Sequence, residues 1–309
     1  MRALVVCSAN SGRVSPFVQE QAEELSKLGV EIQIFPIVGK GIEGYLGNWS
    51  DLKKMIKSFD PNLIHAHSGM SALLCGLQRS KKVLATFHGS DVNQSKLRAF
   101  TRLAIVLTHK QIVVSEEMQR KLGRSDVEII PCGVDTNIFI PSEKTAAKAE
   151  LGWLPEKKYI LFSSAFNNSV KNYPLAAAAI ETLNDPTLEL VELKNRSRYE
   201  VAMMLNACDA ALLSSFSEGS PQFIKEALST GTPVVSTNVG DVAFLIKNLS
   251  GCFIASFEPN DVAFKLIKAM EFRTNRKFTE GPERINQLRI SGRQVALQIL
   301  KLYSEISAQ

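Results

Sequence analysis

The sequence has few of the features that mark secreted, metal-binding or membrane-spanning proteins. Its five cysteines are odd in number, scattered and never in C-x-x-C spacing, so we expect reduced thiols of a cytosolic protein, without a structural disulfide or zinc. No apolar run approaches the roughly 18 residues of a membrane span. The apolar run at residues 3–7 is too short for a signal peptide and predicts a first strand.

Several catalytic signatures are absent as well. The chain contains no D-x-D, no Walker loop, no G-x-S-x-G and no H-E-x-x-H. Metal-bound donor handling and the common hydrolase mechanisms therefore lose support, and we expect no metal site and no cofactor. The net charge of +5 suits a small anionic ligand or an anionic membrane surface as well as nucleic acid, so charge alone decides nothing.

What the sequence does contain is an alternation of strand and helix patterns in two successive halves. A chain of 309 residues that is 45% hydrophobic can form two cores. We predict an α/β protein with one domain over residues 1–141 and a second over 142–290, which starts at a polar, Lys-rich segment. A last helix over 291–309 is expected to pack back onto the first domain.

One stretch organises the second half. The apolar run 210–213 predicts a buried strand, and the Ser- and Gly-rich loop after it leads to a helix with Ser220 as its N-cap and Pro221 at the first helical position. This order places helix N–H groups at the carboxyl edge of a parallel sheet, where anions and especially phosphates bind.

Two carboxylates flank this predicted anion site. Glu218 lies in the loop and Glu226 in the second helical turn, with its side chain directed back toward the helix start. A phosphate repels a carboxylate, so both are expected to accept hydrogen bonds from sugar and ribose hydroxyls next to the phosphates. The alternative for an isolated pair is two solvated surface glutamates.

This stretch resembles the E-x7-E signature of glycosyltransferase family 4, also called glycosyl transferases group 1. Residues 60–67 (D-P-N-L-I-H-A-H) resemble the family's D-x-x-H-x-H element, and further similar elements are H-G-S-D (88–91), V-x-S-E (113–116) and I-P-C-G-V-D (130–135). The resemblance implies the GT-B fold, in which two Rossmann-like, doubly wound domains with parallel sheets face each other across a cleft. The first domain would bind the acceptor and the second the nucleotide sugar.

The resemblance also assigns roles to individual residues. It implies that Glu218 holds the donor sugar, that Glu226 holds the nucleotide ribose and that His88 lies near the transferred sugar and the acceptor. The loop Lys194–Ser197 would seat the base, with uridine and guanosine both open, and the Gly-rich segment 39–47 is typical of acceptor loops. The remaining expected donor contacts are the diphosphate-binding residues Gly12, Gly219, Ser220, Pro221 and Gln222.

One departure from the family pattern concerns the cations. The family usually has an Arg followed by a Lys for the diphosphate, and here Ala165 stands where the Arg is usual while Lys171 is kept. We expect Lys171 to neutralise the leaving phosphate, with Asn167, Asn168 or Arg13 supplying the missing donors. A second departure is Cys132 in place of an Asn.

For each of three features, the sequence leaves two interpretations open. His65 and His67 share one face of a strand, so they are either metal ligands or packed side chains that order a loop, and the second is favoured because no third ligand is recognisable. His88 is either a catalytic or positioning residue or a structural histidine. The basic, amphipathic helix over 95–110 either faces solvent or contacts an anionic membrane surface.

The sequence therefore predicts a retaining, metal-independent glycosyltransferase with His88, Lys171 and Glu218 as catalytic residues. It would move a sugar from a UDP- or GDP-sugar to a hydroxyl of a glycan or lipid-linked acceptor, in polysaccharide biosynthesis. We expect it in the cytoplasm, peripheral at the inner membrane face if the basic helix binds there, and without a nucleic-acid partner. The alternatives are a nucleotide-sugar-binding protein without transfer and another GT-B enzyme, a phosphorylase or an epimerase.

Overall fold

A computed structural model describes residues 1–308 and divides the chain into two compact units. The first unit comprises Met1–Gly133 together with the C-terminal segment from Gly292, and the second comprises Val134–Ser291. Each unit has its own parallel sheet, covered by helices, as the alternation of strand and helix patterns predicts.

The first unit is built on a six-stranded sheet in the order β2-β1-β3-β4-β5-β6, with every strand parallel to its neighbours. The central strands are buried along most of their length, as expected for a parallel sheet covered on both faces, and His65, His67 and Thr86 are buried polar residues within them. The strands are β1 (Arg2–Ser8), β2 (Glu31–Ile37), β3 (Leu63–His67), β4 (Lys82–Phe87), β5 (Lys110–Val113) and β6 (Glu128–Ile129). The helices between them are α1 (Pro16–Lys27), α2 (Gly41–Leu46), α3 (Trp49–Phe59), α4 (Gly69–Leu77), α5 (Gly89–Asn93), α6 (Ser95–Leu107) and α7 (Glu116–Leu122).

The second unit repeats this plan with a five-stranded parallel sheet in the order β11-β10-β9-β7-β8. Its central strands are wholly buried. The strands are β7 (Lys158–Phe162), β8 (Leu188–Glu192), β9 (Ala210–Leu213), β10 (Val234–Thr237) and β11 (Cys252–Ala255). The helices are α8 (Lys144–Leu151), α9 (Tyr173–Leu183), α10 (Arg198–Ala207), α11 (Gln222–Ser229), α12 (Val242–Leu245), α13 (Pro259–Arg276) and α14 (Gly281–Gln287), and Ser169–Lys171 form a 3₁₀ turn.

The last helix, α15 (Gly292–Ala308), belongs to the first unit. Its buried side chains include Val295, Ile299 and Tyr303, and they join residues of α1, β3, β4 and β5 in one apolar cluster. This helix therefore covers a face of the first sheet that would otherwise expose apolar strand residues to water.

The boundary between the units differs from the predicted position after residue 141. The chain passes into the second unit at Val134, because Val134 and Phe139 are completely buried in the core of that unit. Val134 also pairs with Ser291 in an isolated parallel bridge, so both crossings between the units lie side by side. The apolar segment 134–141 was assigned to the wrong core because its sequence does not show which sheet it covers.

Candidate functional site

In the second unit, an ion pair lies at the carboxyl ends of the strands. Lys171 Nζ is 2.6 Å from Glu218 Oε1, and the two side chains are only 19% and 15% exposed. Lys171 ends the 3₁₀ turn after β7, whereas Glu218 lies in the loop after β9. The adjacency of β7 and β9 in the sheet thus brings together two residues that are 47 positions apart in the sequence.

The loop that carries Glu218 is held by hydrogen bonds from its neighbours. The Ser215 hydroxyl donates to Glu218 Oε1 at 2.7 Å, and the Thr237 hydroxyl at the end of β10 donates to the Ser215 carbonyl at 2.8 Å. The Ser214 hydroxyl donates to the Lys171 carbonyl at 2.9 Å. The carboxylate and the ammonium are therefore preorganised by the ends of three adjacent strands.

Ser220 is not the N-cap of the following helix, contrary to prediction. The cap position is Pro221, α11 begins at Gln222, and the Ser220 hydroxyl donates instead to Asp241 Oδ2 at 2.6 Å. Asp241 follows Gly240, whose φ of +56° and close approach to Gly219 leave no room for a Cβ, which would lie 2.7 Å from the Gly219 oxygen. The segment at 240–241 thus holds the backbone of the Glu218 loop in place.

Glu226, the second carboxylate, is buried in α11 and forms an ion pair that the sequence did not indicate. Arg198 Nη2 donates to Glu226 Oε1 at 2.6 Å, and the two side chains are 24% and 5% exposed. Arg198 is the first residue of α10, and its guanidinium lies over the Phe139 ring, 4.6 Å from the centroid. A buried carboxylate next to a planar cation is well placed to accept hydrogen bonds from a vicinal diol.

The loop after β7 contains Lys171 but no second basic residue, because Ala165 stands at the position where the family pattern has an arginine. Ala165 is half-buried, Asn167 and Asn168 are exposed, and the Asn168 side chain accepts a hydrogen bond from the Val170 amide at 3.3 Å. The Phe166 amide donates to Glu192 Oε2 at 2.8 Å, which fixes the start of the loop to the end of β8. Asn168 therefore caps the 3₁₀ turn that ends at Lys171.

In the first unit, the three histidines of the family-like elements form one stacked chain. His65 Nδ1 lies 2.8 Å from the Tyr303 hydroxyl and its Nε2 lies 2.7 Å from the Thr86 hydroxyl. The rings of His65 and His67 stack, as do those of His67 and His88, and His67 Nδ1 is 3.2 Å from His88 Nε2. Burial lowers the pKa of His65 to about 3 and lowers that of His67 well below its usual range.

This chain of rings ends at His88, the residue predicted to lie near the acceptor. The His88 amide donates to Asp91 Oδ2 at 2.8 Å, and the other oxygen of Asp91 accepts from the Gly69 amide. Phe17 packs on the imidazole with ring centroids 4.8 Å apart, and Cys132 Sγ lies 3.8 Å from Nδ1. His65 and His67 thus pack and orient His88, and residues 1–308 contain no group of three or more His, Cys, Asp or Glu placed to hold a metal ion.

Replacing His65 by Gln is expected to make the free energy of unfolding less dependent on pH below neutrality. The unfolded-state pKa is about 6.5 and the folded-state pKa is about 3, so the unfolded chain takes up the proton first as the pH falls. The stability contributed by the neutral ring is complete above pH 6.5 and declines below it. When the pH falls from 7.5 to 5.5, the free energy of unfolding should decrease by about 1.4 kcal/mol more in the wild type than in the variant.

Urea unfolding at these two pH values measures this difference. The other titratable groups around the ring are His67, His88 and Tyr303. Burial also raises the pKa of Asp91 to about 6, so protonation of Asp91 makes the folded state more stable as the pH falls, the opposite of the effect of His65. All of them are common to both proteins. Equal acid sensitivity of wild type and variant would show that His65 is not buried in its neutral form.

Gly12 and Arg13 line a cavity of about 650 Å³ in the first unit. It lies between the loop after β1 and the loop after β2, and Lys40 lies on its other side. The structure therefore separates the predicted residues into two groups. Gly12, Arg13 and His88 belong to the first unit, and the other predicted residues belong to the second.

Arg198, Asp241 and Lys40 were missed by sequence reasoning. Arg198 directly follows the loop Lys194–Ser197 that was assigned to the base, but the sequence did not show that its side chain points to Glu226. Asp241 lies 21 residues after Ser220, so no local pattern indicated the hydrogen bond between them. Lys40 lies in the Gly-rich segment that was assigned to acceptors, without a residue being singled out.

The basic helix predicted over 95–110 is α6, which ends at Leu107. Its outer face combines exposed Lys96 and Arg102 with Leu103 and Val106, which are 50% and 75% exposed. Arg98, in contrast, turns inward and donates to the Val92 carbonyl at 2.7 Å. None of the helices within residues 1–308 has the length and apolar character needed to cross a bilayer.

Each of the two units contains a region that matches a model of a known protein family. The model of Glycosyltransferase Family 4 matches residues 5–138, and that of Glycosyl transferases group 1 matches residues 169–271. TuaC of Bacillus subtilis, named for teichuronic acid biosynthesis, is 28% identical over 229 residues, which span 63% of this chain but only 58% of TuaC. The uncharacterised glycosyltransferase MJ1178 of Methanocaldococcus jannaschii is 24% identical over 288 residues, covering 87% and 82% of the two chains.

Solved structures show the same fold. Sucrose-phosphate synthase from Thermosynechococcus elongatus superposes with a TM-score of 0.79 at 16% identity and covers 100% of both chains. HepE from Anabaena, in a complex with UDP, gives 0.76 at 14% identity and covers 99% and 100%. Both units have the architecture of GT-B glycosyltransferases, and the two family models together match well over half of the sequence. The first unit therefore carries a Glycosyltransferase Family 4 region, and the second carries a Glycosyl transferases group 1 region.

Proposed function

We propose that the protein is a retaining, metal-independent glycosyltransferase that moves a sugar from a UDP- or GDP-sugar to a hydroxyl of a glycan or lipid-linked acceptor. The observation that carries the proposal is the Lys171–Glu218 ion pair, in which Lys171 ends the 3₁₀ turn after β7 and Glu218 lies on the loop that leads into α11. An ammonium beside a helix N-terminus suits a diphosphate, and a carboxylate beside the ammonium suits the hydroxyls of the attached sugar.

In the proposed reaction, the bond between the anomeric carbon and the diphosphate oxygen breaks while the acceptor oxygen bonds to the same carbon. Lys171 and the amides at 219–222 stabilise the charge that develops on the departing diphosphate, which receives the proton of the acceptor hydroxyl. Glu218 holds the donor sugar, the Glu226–Arg198 pair binds the ribose, and His88 positions the acceptor hydroxyl. No metal and no cofactor takes part.

The names of related proteins support the choice of donor and acceptor. A protein of Escherichia coli that is 24% identical over 259 residues is named as a UDP-Gal:α-D-GlcNAc-diphosphoundecaprenol α-1,3-galactosyltransferase. HepE has been solved in complexes with UDP and with UDP-glucose. We further propose that the protein acts in polysaccharide biosynthesis in the cytoplasm. The exposed basic and apolar face of α6 supports peripheral contact with an anionic bilayer that carries the acceptor.

The experiment is to measure nucleotide release from a panel of UDP- and GDP-sugars, with soluble glycans and with lipid-linked acceptors in anionic vesicles. We expect one donor to be consumed only when an acceptor is present, with a new glycosidic bond of the donor's anomeric configuration. Sedimentation of the same samples reports vesicle binding. Consumption of every donor without acceptor, release of an epimerised sugar or phosphorolysis would favour one of the other GT-B activities, and binding without consumption would favour a nucleotide-sugar-binding protein.

A further inference from the structure

The cavity between the loops after β1 and β2 has the size and the walls of a binding site. Its volume of about 650 Å³ lies within the range of roughly 300–1,000 Å³ that is typical of small-molecule sites. Ala9, Val14, Pro36 and Val38 provide apolar wall, and Val38 is 67% exposed. Such a surface can receive the face of a sugar ring.

Asparagine side chains hold these walls in place. Asn10 donates to the Gly39 carbonyl at 2.8 Å and accepts from the Gly39 amide at 2.7 Å, which ties the two loops together. Asn48 donates to the carbonyls of Val38 and Gly44 at 3.0 Å and 2.7 Å. Gly39 has a φ of +135° and packs against Gly44 so closely that a Cβ would lie 2.6 Å from the Gly44 oxygen. These contacts fix the two loops that form the walls of the cavity.

The charges in the cavity are all of one sign. Arg13 and Lys40 both line it, and no aspartate or glutamate does. Within residues 1–308, neither of these two side chains forms an ion pair or a side-chain hydrogen bond, whereas Lys27, Lys54 and Lys81 on the same unit are each paired with a carboxylate. Both side chains are exposed, and two cations that line one recess without a carboxylate create a positive potential that attracts an anionic group.

We propose that this cavity binds an anionic substituent of the acceptor, a phosphate or a carboxylate attached to the sugar that is glycosylated. Arg13 forms the planar, bidentate contact and Lys40 adds a point charge, while the apolar wall packs on the acceptor ring. The inference rests on the proposed transferase function, and it narrows the acceptor to phosphorylated or uronic glycans and glycolipids. It also assigns Arg13 to the acceptor and not to the donor diphosphate.

The test compares matched neutral and anionic acceptors. Glucose with glucose 6-phosphate, myo-inositol with its 3-phosphate, and methyl glucoside with methyl glucuronide are titrated into protein that is saturated with UDP or GDP, so the donor site is filled. The wild type should bind at least one anionic partner about tenfold or more tightly than its neutral counterpart. The phosphate and the carboxylate pairs distinguish the two kinds of anion.

The variants are Arg13→Gln, Lys40→Gln and the double variant, with Lys57→Gln on the exposed face of α3 as the matched control. Each single change should weaken binding of the anionic acceptor about tenfold, and the double change should reduce it to the level of the neutral sugar. In the transfer assay, KM for the anionic acceptor should rise, while kcat and the donor KM stay within about twofold of the wild type.

Three results would overturn the proposal. These are equal binding of neutral and anionic partners, an effect of Lys57→Gln as large as that of the cavity variants, and a rise of the donor KM in the double variant. The binding experiment and the transfer assay test different claims. If the anionic acceptor binds and the double variant abolishes this binding, the site is supported even if no sugar is transferred. Conversely, transfer to neutral acceptors alone would retain the function and reject this site.

Discussion

Lys171→Ala should reduce donor turnover about 100- to 1,000-fold, the usual effect of removing one group that stabilises developing charge. Lys171 has the only ammonium or guanidinium in the segment 163–172, in which Ala165 stands where the family pattern that the sequence resembles has an arginine. The ammonium also faces Glu218 at 2.6 Å, so its loss should raise the donor KM by releasing that carboxylate from its position. Steady-state release of UDP or GDP measures both quantities.

Two further variants test this explanation. Lys158→Ala removes a lysine of the same unit that pairs with Asp185 at the surface, and its turnover should stay within about twofold of the wild type because such pairs contribute little. Adding Ala165→Arg to Lys171→Ala should recover part of the lost rate, since it returns a cation to the same loop. Turnover of Lys171→Ala within threefold of the wild type would remove Lys171 from the proposed mechanism.

Arg198→Met should lower the free energy of unfolding of the second unit by about 3 kcal/mol, because a carboxylate that is almost fully buried loses its cation. Met retains an apolar stem above the Phe139 ring, so the loss reflects the charge more than the packing. For a unit of this size the melting temperature should fall by about 6–12 °C. Calorimetry, which can resolve the transitions of the two units, measures it.

The double variant Arg198→Met/Glu226→Leu separates stability from binding. Replacing both charges by apolar side chains should restore stability to within about 1 kcal/mol of the wild type, as for other buried pairs. Nucleotide binding should nevertheless be lost in the double variant, because the carboxylate proposed to accept the ribose hydroxyls is gone. A single variant that loses less than about 1 kcal/mol would indicate a solvated pair, and a double variant that binds nucleotide normally would remove Glu226 from the ribose site.

The sequence predicted the elements whose periodicity and end signals are local. The apolar runs at 3–7 and 210–213 became β1 and β9, and the basic helix predicted over 95–110 became α6. The family-like elements also predicted which loops end at the carboxyl edges of the sheets. These features depend on interactions within a few residues, which the sequence displays directly.

The sequence did not reveal contacts between distant segments. The Ser220 hydroxyl has two acceptable partners, the helix backbone and Asp241, and the fold selects the second. Arg198 reaches Glu226 only because α10 and α11 lie next to each other, and the bond from His65 to Tyr303 joins residues 238 positions apart. Side-chain pairing of this kind depends on the sheet order, which no local pattern specifies.

The return of α15 to the first unit has a consequence for the order of events during synthesis. Tyr303 and its neighbours complete a cluster that covers Leu63, Leu84 and Ile112, yet the ribosome makes them after the whole of the second unit. At about 5–20 residues per second, the first sheet waits on the order of ten seconds with one apolar face uncovered. The second unit can therefore be finished first, and the nascent first unit needs chaperone protection or transient packing until the last helix emerges.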